Sequence, residues 1–170
     1  MHRLHDDFNA LSGVLTQAAE PSLQTTADDC FRKALLLAAA SNFEVRIVET
    51  ILQFAKTSSG NALVAEFVHN KGLKRQYHAL FNWDVPNANQ FYAFFGQAFK
   101  AYAEAQTKAD PVLEETTKAF LEIGRERNRL VHQDFGNFTL EKTTAEIFAL
   151  FERADQYPAA LAALLSGYPS

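Results

Sequence analysis

Apolar residues recur along this chain at intervals of three and four, and no stretch alternates with the period of a strand, so the pattern predicts an all-α fold. Leu4, Phe8, Leu11 and Leu15 share one side of a first helix over residues 4–19, with Pro21 ending it. A long second helix follows, capped by Thr26 or Asp28 and running to about Thr57, before Ser58-Ser59-Gly60 stops it. Asp28 and Asp29 suit the positive end of the helix dipole. Phe31, Leu35, Ala38, Val45, Val48 and Leu52 supply the apolar stripe. At ~1.5 Å per residue this helix spans roughly 45 Å, enough to act as a central spine.

Shorter elements follow. Residues 62–69 and 73–81 read as short helices separated by the turn Asn70-Lys71-Gly72, and Asn82-Trp83-Asp84-Val85-Pro86 as a loop. Asn87, with Gln90 three positions on, predicts a capping box opening an aromatic-rich helix through Phe91, Tyr92, Phe94, Phe95, Phe99 and Tyr102. Aromatics at helical spacing serve core packing first, although such a stripe could also stack bases. Asp110-Pro111 is the clearest helix start, an N-cap followed by proline at the first helical position. That helix runs to about His132, and Gly136 helps end the region. Two further helices are expected at 141–154 and 158–166. No repeat, low-complexity segment or dividing linker interrupts residues 1–170, which predicts a single domain.

The helix from Pro111 carries the most chemistry. Leu113, Phe120, Ile123 and Leu130 share its apolar face, and Arg127 lies four residues after Ile123, on or beside that face. A charge there needs a partner or a purpose. Asn128 and His132 are four apart and lie above one another on the adjacent face, with Gly124 one turn earlier. Glycine costs helix stability and opens room for a close approach by a backbone or a ligand.

Composition narrows the function. A hydrophobic fraction of 48% supports a real core, and a net charge of -4 gives no global positive field for nucleic acid. Any RNA contact must come from a local patch. Cys30 is the sole cysteine, which excludes an internal disulfide, and no Cys/His cluster has zinc spacing. Cys30 reads as a small buried apolar residue. The N-terminus lacks the apolar stretch of a signal peptide, and the apolar run 34–40 is too short to span a bilayer. A cytoplasmic protein without membrane contact, metal or cofactor is the expectation.

Arginine, asparagine and histidine at this spacing suit RNA strand cleavage. Cleavage needs a base for the ribose 2′-OH, an acid for the leaving 5′-oxygen and a cation for the crowded phosphorane. Histidine titrates near neutrality and can serve either proton transfer. Arginine stays charged and matches phosphate with its planar fork. Asn128 could orient the imidazole or hold a phosphate oxygen. One motif offers one histidine for two transfers, so a homodimer pairing two motif helices is expected. An arginine and a histidine near a helix C-terminus also occur as ordinary surface residues, where positive charge is favoured.

Arg127-Asn128-Arg129-Leu130-Val131-His132, near the end of a late helix, resembles the R-x4-6-H motif of the HEPN superfamily. The segments 36–44, 75–96 and 138–141 resemble its RiboL-PSP and MAE-like branches, so the likeness covers roughly residues 30–155. The resemblance implies a HEPN-like helical bundle and a metal-independent endoribonuclease, commonly dimeric and found in toxin–antitoxin, restriction or anti-phage settings. An antitoxin or defence-system protein is then an expected partner. It also implies Arg127 and His132 as the catalytic pair, Asn128 as support and Glu44 as an acidic residue facing the motif from an earlier helix. A solvated helix carboxylate, or a partner for Arg46, is the plainer account of Glu44. Some HEPN domains act as dimerisation, nucleotide-binding or RNA-binding modules without cleavage.

Two basic groups complete the candidates. Lys71, Lys74, Arg75 and His78 follow a turn and could guide a phosphate backbone, with Tyr77 available for stacking. A solvated helix surface gives the same pattern. Arg125 and Arg129 flank the motif and could contact RNA phosphates, yet Glu122 and Glu126 are placed to pair with them. Trp83, beside Asp84 and Pro86, reads as a packed loop anchor.

Overall fold

A computed structural model of the chain describes residues 1–169. Among these it is all-α: α1 (His2–Gln17), α2 (Pro21–Ser59), α3 (Ala62–Phe67), a π-helical turn (Val68–Leu73), α4 (Tyr77–Leu80), α5 (Asn89–Ala93), α6 (Gln97–Ala109), α7 (Pro111–His132), α8 (Thr144–Ala154) and α9 (Tyr157–Ser166). The 39 residues of α2 form the spine, and α1, α3, α7, α8 and α9 all pack on it. No helix among the described residues is long and apolar enough to cross a membrane.

Pro21 corrects the sequence reading at the first junction. It stands at the first helical position of α2, where its missing N–H costs nothing, so it opens α2. Thr26 and Asp28 therefore lie inside the helix and do not cap it. Asp28 accepts a hydrogen bond from the Thr144 hydroxyl, which ties α2 to α8. The buried apolar stripe of α2 is Leu35, Leu36, Ala39, Ala40, Phe43, Ile47 and Ile51, so the expected Leu35 is in the core whereas the expected Val45 faces solvent. Cys30 is likewise exposed rather than buried.

The aromatic segment is two helices. Gly96 adopts φ 100° and ψ 160°, a conformation reserved for glycine, and separates α5 from α6. The Asn87 capping box does not form: Asn87 accepts from the Asn89 N–H, and Gln90 donates to the Ala79 carbonyl. Phe91, Tyr92 and Phe99 enter the core, whereas Phe94 is exposed. The helix expected over residues 73–81 shrinks to α4, because the chain first completes the π-helical turn and then passes through Arg75 at φ 64°.

α7 matches its prediction at both ends. Asp110 accepts from the N–H groups of Val112 and Leu113, and the helix ends at His132. Phe120 packs face to face with Tyr157 and edge-on to Phe43, which seats α7 between α9 and α2. α8 opens with a full capping box between Thr143 and Glu146, which begins the helix later than its sequence pattern suggests.

Candidate functional site

α2, α4, the loop holding Trp83, and α7 enclose a cleft of about 260 Å³. Its polar lining includes Glu44, His78, Arg127 and Asn128, and its walls include Phe43, Tyr77, Trp83, Phe120 and Gly124. Residues separated by more than eighty positions in the chain thus meet in one place.

Arg127 reaches this cleft because its apolar neighbours fix the rotation of α7. Phe120, Ile123 and Leu130 are buried, which leaves the guanidinium half-buried at the cleft edge. It donates from Nη1 to Asn128 Oδ1 at 3.1 Å. Among the described residues no carboxylate lies within ion-pair distance of it, whereas Arg3, Arg32, Arg46, Arg125 and Arg129 each have one. Arg75 and Arg153 also lack one, but both are exposed at the surface. A cation in a concave site with one neutral partner keeps donors free for an anion.

Asn128 therefore holds the guanidinium rather than the imidazole. His132 stands one turn later, exposed at the end of α7 and outside the lining of the cleft. It is close enough to act electrostatically on His78.

Glu44 faces the motif, as the resemblance implies. It does not pair with Arg46, which instead binds the side chain and carbonyl of Asp155. Its Oε2 lies 3.9 Å from His78 Nε2. Tyr77, expected to be available for stacking, is buried against Phe81 and Trp83. Burial first and the Glu44 charge second push its phenol well above the ordinary range, so it stays protonated.

The space above Gly124 is already taken. A Cβ there would run into ring carbons Cε3 and Cζ3 of Trp83. The indole N–H in turn donates to the His78 carbonyl at 2.9 Å. Glycine in α7 thus serves a close packing contact rather than an open ligand space, and that contact sets the distance between α4 and Arg127.

The remaining candidates stand apart from the cleft. Arg125 and Arg129 both bind buried Glu126, at 3.3 and 2.9 Å, and Arg129 also covers the ring of Phe138. Lys71, Lys74 and Arg75 are exposed, and none lines the cleft.

The sequence reading missed His78 as a cleft residue and Lys33 as a buried one. Lys33, 2% exposed, donates to Asp29 at 2.7 Å and to the Phe135 carbonyl at 3.0 Å. Arg32 donates to the Leu140 carbonyl at 3.0 Å. Together they moor the segment after His132 onto α2. The i, i+4 spacing of Asp29 and Lys33 was the only signal available.

Residues 2–157 match the profile of the RiboL-PSP-HEPN family. No curated protein and no solved structure matches the chain.

Proposed function

Since the chain belongs to the RiboL-PSP-HEPN family, we propose that it is a metal-independent endoribonuclease acting through Arg127, Asn128 and His132, with Glu44 in support. The observation that carries this reading is Arg127, a half-buried guanidinium in a cleft with a neutral side chain as its partner. In the proposed reaction the ribose 2′-oxygen loses its proton to a base and attacks phosphorus. The bond from phosphorus to the 5′-oxygen breaks, and that oxygen takes a proton from an acid. The products are a 2′,3′-cyclic phosphate and a 5′-hydroxyl. Arg127 would stabilise the extra charge on the phosphorane, and Asn128 would hold its fork in place. His132 would supply one of the proton transfers. DNA, lacking the attacking hydroxyl, would be inert.

A homodimer that brings two α7 ends together would place the partner subunit's motif beside this cleft. Arg125, Arg129, Lys71, Lys74 and Arg75 would guide the RNA backbone as peripheral charges. A toxin–antitoxin or anti-phage role in the cytoplasm, with a neutralising or activating partner protein, fits such an activity.

The test is incubation of the purified protein with single-stranded and transfer RNA in EDTA. Cleavage leaving cyclic phosphate ends, abolished by His132→Ala and Arg127→Ala, is expected. An inert wild-type protein, or a His132→Ala variant as active as wild type, defeats the proposal. The exposure of His132 outside the cleft favours a second reading, a non-catalytic module that dimerises or binds a nucleotide or RNA. That reading predicts RNA retention without cleavage and equal cellular toxicity of wild-type and His132→Ala proteins.

A further inference from the structure

RNA cleavage requires two proton transfers, and the arginine–histidine motif supplies one imidazole per chain. The cleft contains another. His78 lines it together with Arg127 and Asn128, and its Nε2 faces Glu44 Oε2 at 3.9 Å. Building on the reading of this cleft as a ribonuclease site, we propose that His78 is a catalytic residue, the general base for the ribose 2′-OH, with Glu44 as its positioning residue and His132 as the acid of the same chain.

Three structural features support this assignment. The first is placement: a phosphodiester held by Arg127 would lie in the same small cleft as the His78 ring, the geometry that base catalysis demands. The second is anchoring. The His78 carbonyl accepts from Trp83 Nε1, and the Trp83 ring rests on Gly124, less than one turn before Arg127. The backbone of the proposed base is therefore held to the helix carrying the arginine. The third is the carboxylate of Glu44, 3.9 Å from His78 Nε2, whose charge stabilises the imidazolium formed after proton capture.

The surroundings also suit a base. Tyr77 on α4 packs edge-on to the ring, Glu44 on α2 faces it, and the charges of Arg127 and His132 on α7 act on it. Burial, then Arg127, then His132 lower its affinity for protons against the opposing pull of Glu44, so the ring is neutral at pH 7 and able to accept one. In the step itself the 2′-OH proton passes to His78 as the 2′-oxygen bonds to phosphorus. The His132 imidazolium gives its proton to the departing 5′-oxygen, and water then restores both rings to their starting protonation. Two histidines in one chain thus supply both proton transfers.

The experiment compares His78→Ala, His78→Gln, Glu44→Gln, His132→Ala and wild type on single-stranded RNA in EDTA across pH 5–9. His78→Gln is expected to lower kcat by about 10²- to 10⁴-fold with little change in KM. The low-pH limb of its rate profile, which requires a deprotonated base, should disappear. Glu44→Gln should keep that limb but move it to lower pH, because removing the carboxylate removes the influence that raises the His78 pKa. Added imidazole should partly restore His78→Ala. His78 is exposed, so these variants should melt with wild type. Co-expression of His78→Ala with His132→Ala should leave activity lost, since both groups act in one chain.

If His78→Gln cleaves like wild type while His132→Ala is dead, the inference fails and the ribonuclease reading survives. Activity regained in the mixed His78→Ala and His132→Ala dimer overturns the one-chain assignment. An inert wild-type protein overturns both the inference and the reading beneath it.

Discussion

Lys33 and Arg127 are both cations set on faces of helices that pack into the core, yet their surroundings differ. Lys33 is enclosed by a carboxylate, a backbone carbonyl and the ring of Phe135. Arg127 has one neutral partner, Asn128, and a cleft in front of it. Burying a charge is costly unless partners replace the lost water. The completed shell around Lys33 marks it as part of the scaffold. The incomplete shell around Arg127 leaves donors for a ligand, and partial exposure keeps the cost tolerable until one binds.

The sharpest test of that contrast is Arg127→Ala, expected to lose about 10²- to 10³-fold in RNA cleavage, or about 3–4 kcal/mol of transition-state stabilisation. Its melting temperature should stay near wild type, because no ion pair is broken. Lys33→Met should do the reverse. Losing charge-assisted hydrogen bonds of this kind costs about 1.5–3 kcal/mol, which lowers Tm by about 3–12 °C at this chain length, while cleavage per folded molecule is kept. Calorimetry alongside a cleavage assay checks both, and a Lys33→Met variant that is stable but inactive breaks the comparison.

Gly124→Ala lies between the two cases. The new methyl collides with the Trp83 indole, and overpacking of this sort costs about 1–3 kcal/mol. Because Trp83 also holds the His78 carbonyl, fluorescence of the one tryptophan should shift together with the fall in Tm. An unchanged emission spectrum would show that the indole does not rest on α7.

The smallest effect concerns acid. The Asp29 carboxyl is held below its ordinary value near 3.8, chiefly by the Lys33 hydrogen bond. A depressed folded-state pKa gives stability that is present above the unfolded value and lost as pH falls through the folded one. The contribution is below about 1 kcal/mol, because Asp29 is partly exposed and screened by solvent. Melting curves between pH 5 and 2 should therefore show the gap between wild type and Lys33→Met narrowing below about pH 4. A gap that widens toward acid would rule out Asp29 as the group responsible.

Some of this arrangement could be read directly along the chain. α7 was legible at both ends because Asp110-Pro111 is a strong local signal and its apolar spacing continues to His132. Arg127 beside that stripe was likewise anticipated, whereas Glu44 facing the motif was implied only by the resemblance. Pro21 misled because a proline that ends one helix and a proline that begins the next look alike until the linker length is known. Gly96 misled because its left-handed geometry is invisible in a run of aromatics that would also suit one continuous helix. His78 was grouped with Lys71, Lys74 and Arg75 as a basic cluster, since sequence proximity is the only neighbourhood a sequence displays.

What the chain determined by itself was local: helical periodicity, the strongest cap, and the rotation of α7 that keeps Arg127 off the fully buried face. Those depend on residues within a turn or two, whose spacing is set by backbone geometry. Tertiary structure alone decided that Trp83 fills the space over Gly124, that Glu44 meets His78 rather than Arg46, and that Lys33 is buried beneath Phe135. Each of those depends on side chains brought together by packing of the whole core, where close contact between distant segments decides which polar groups are paired and which remain open.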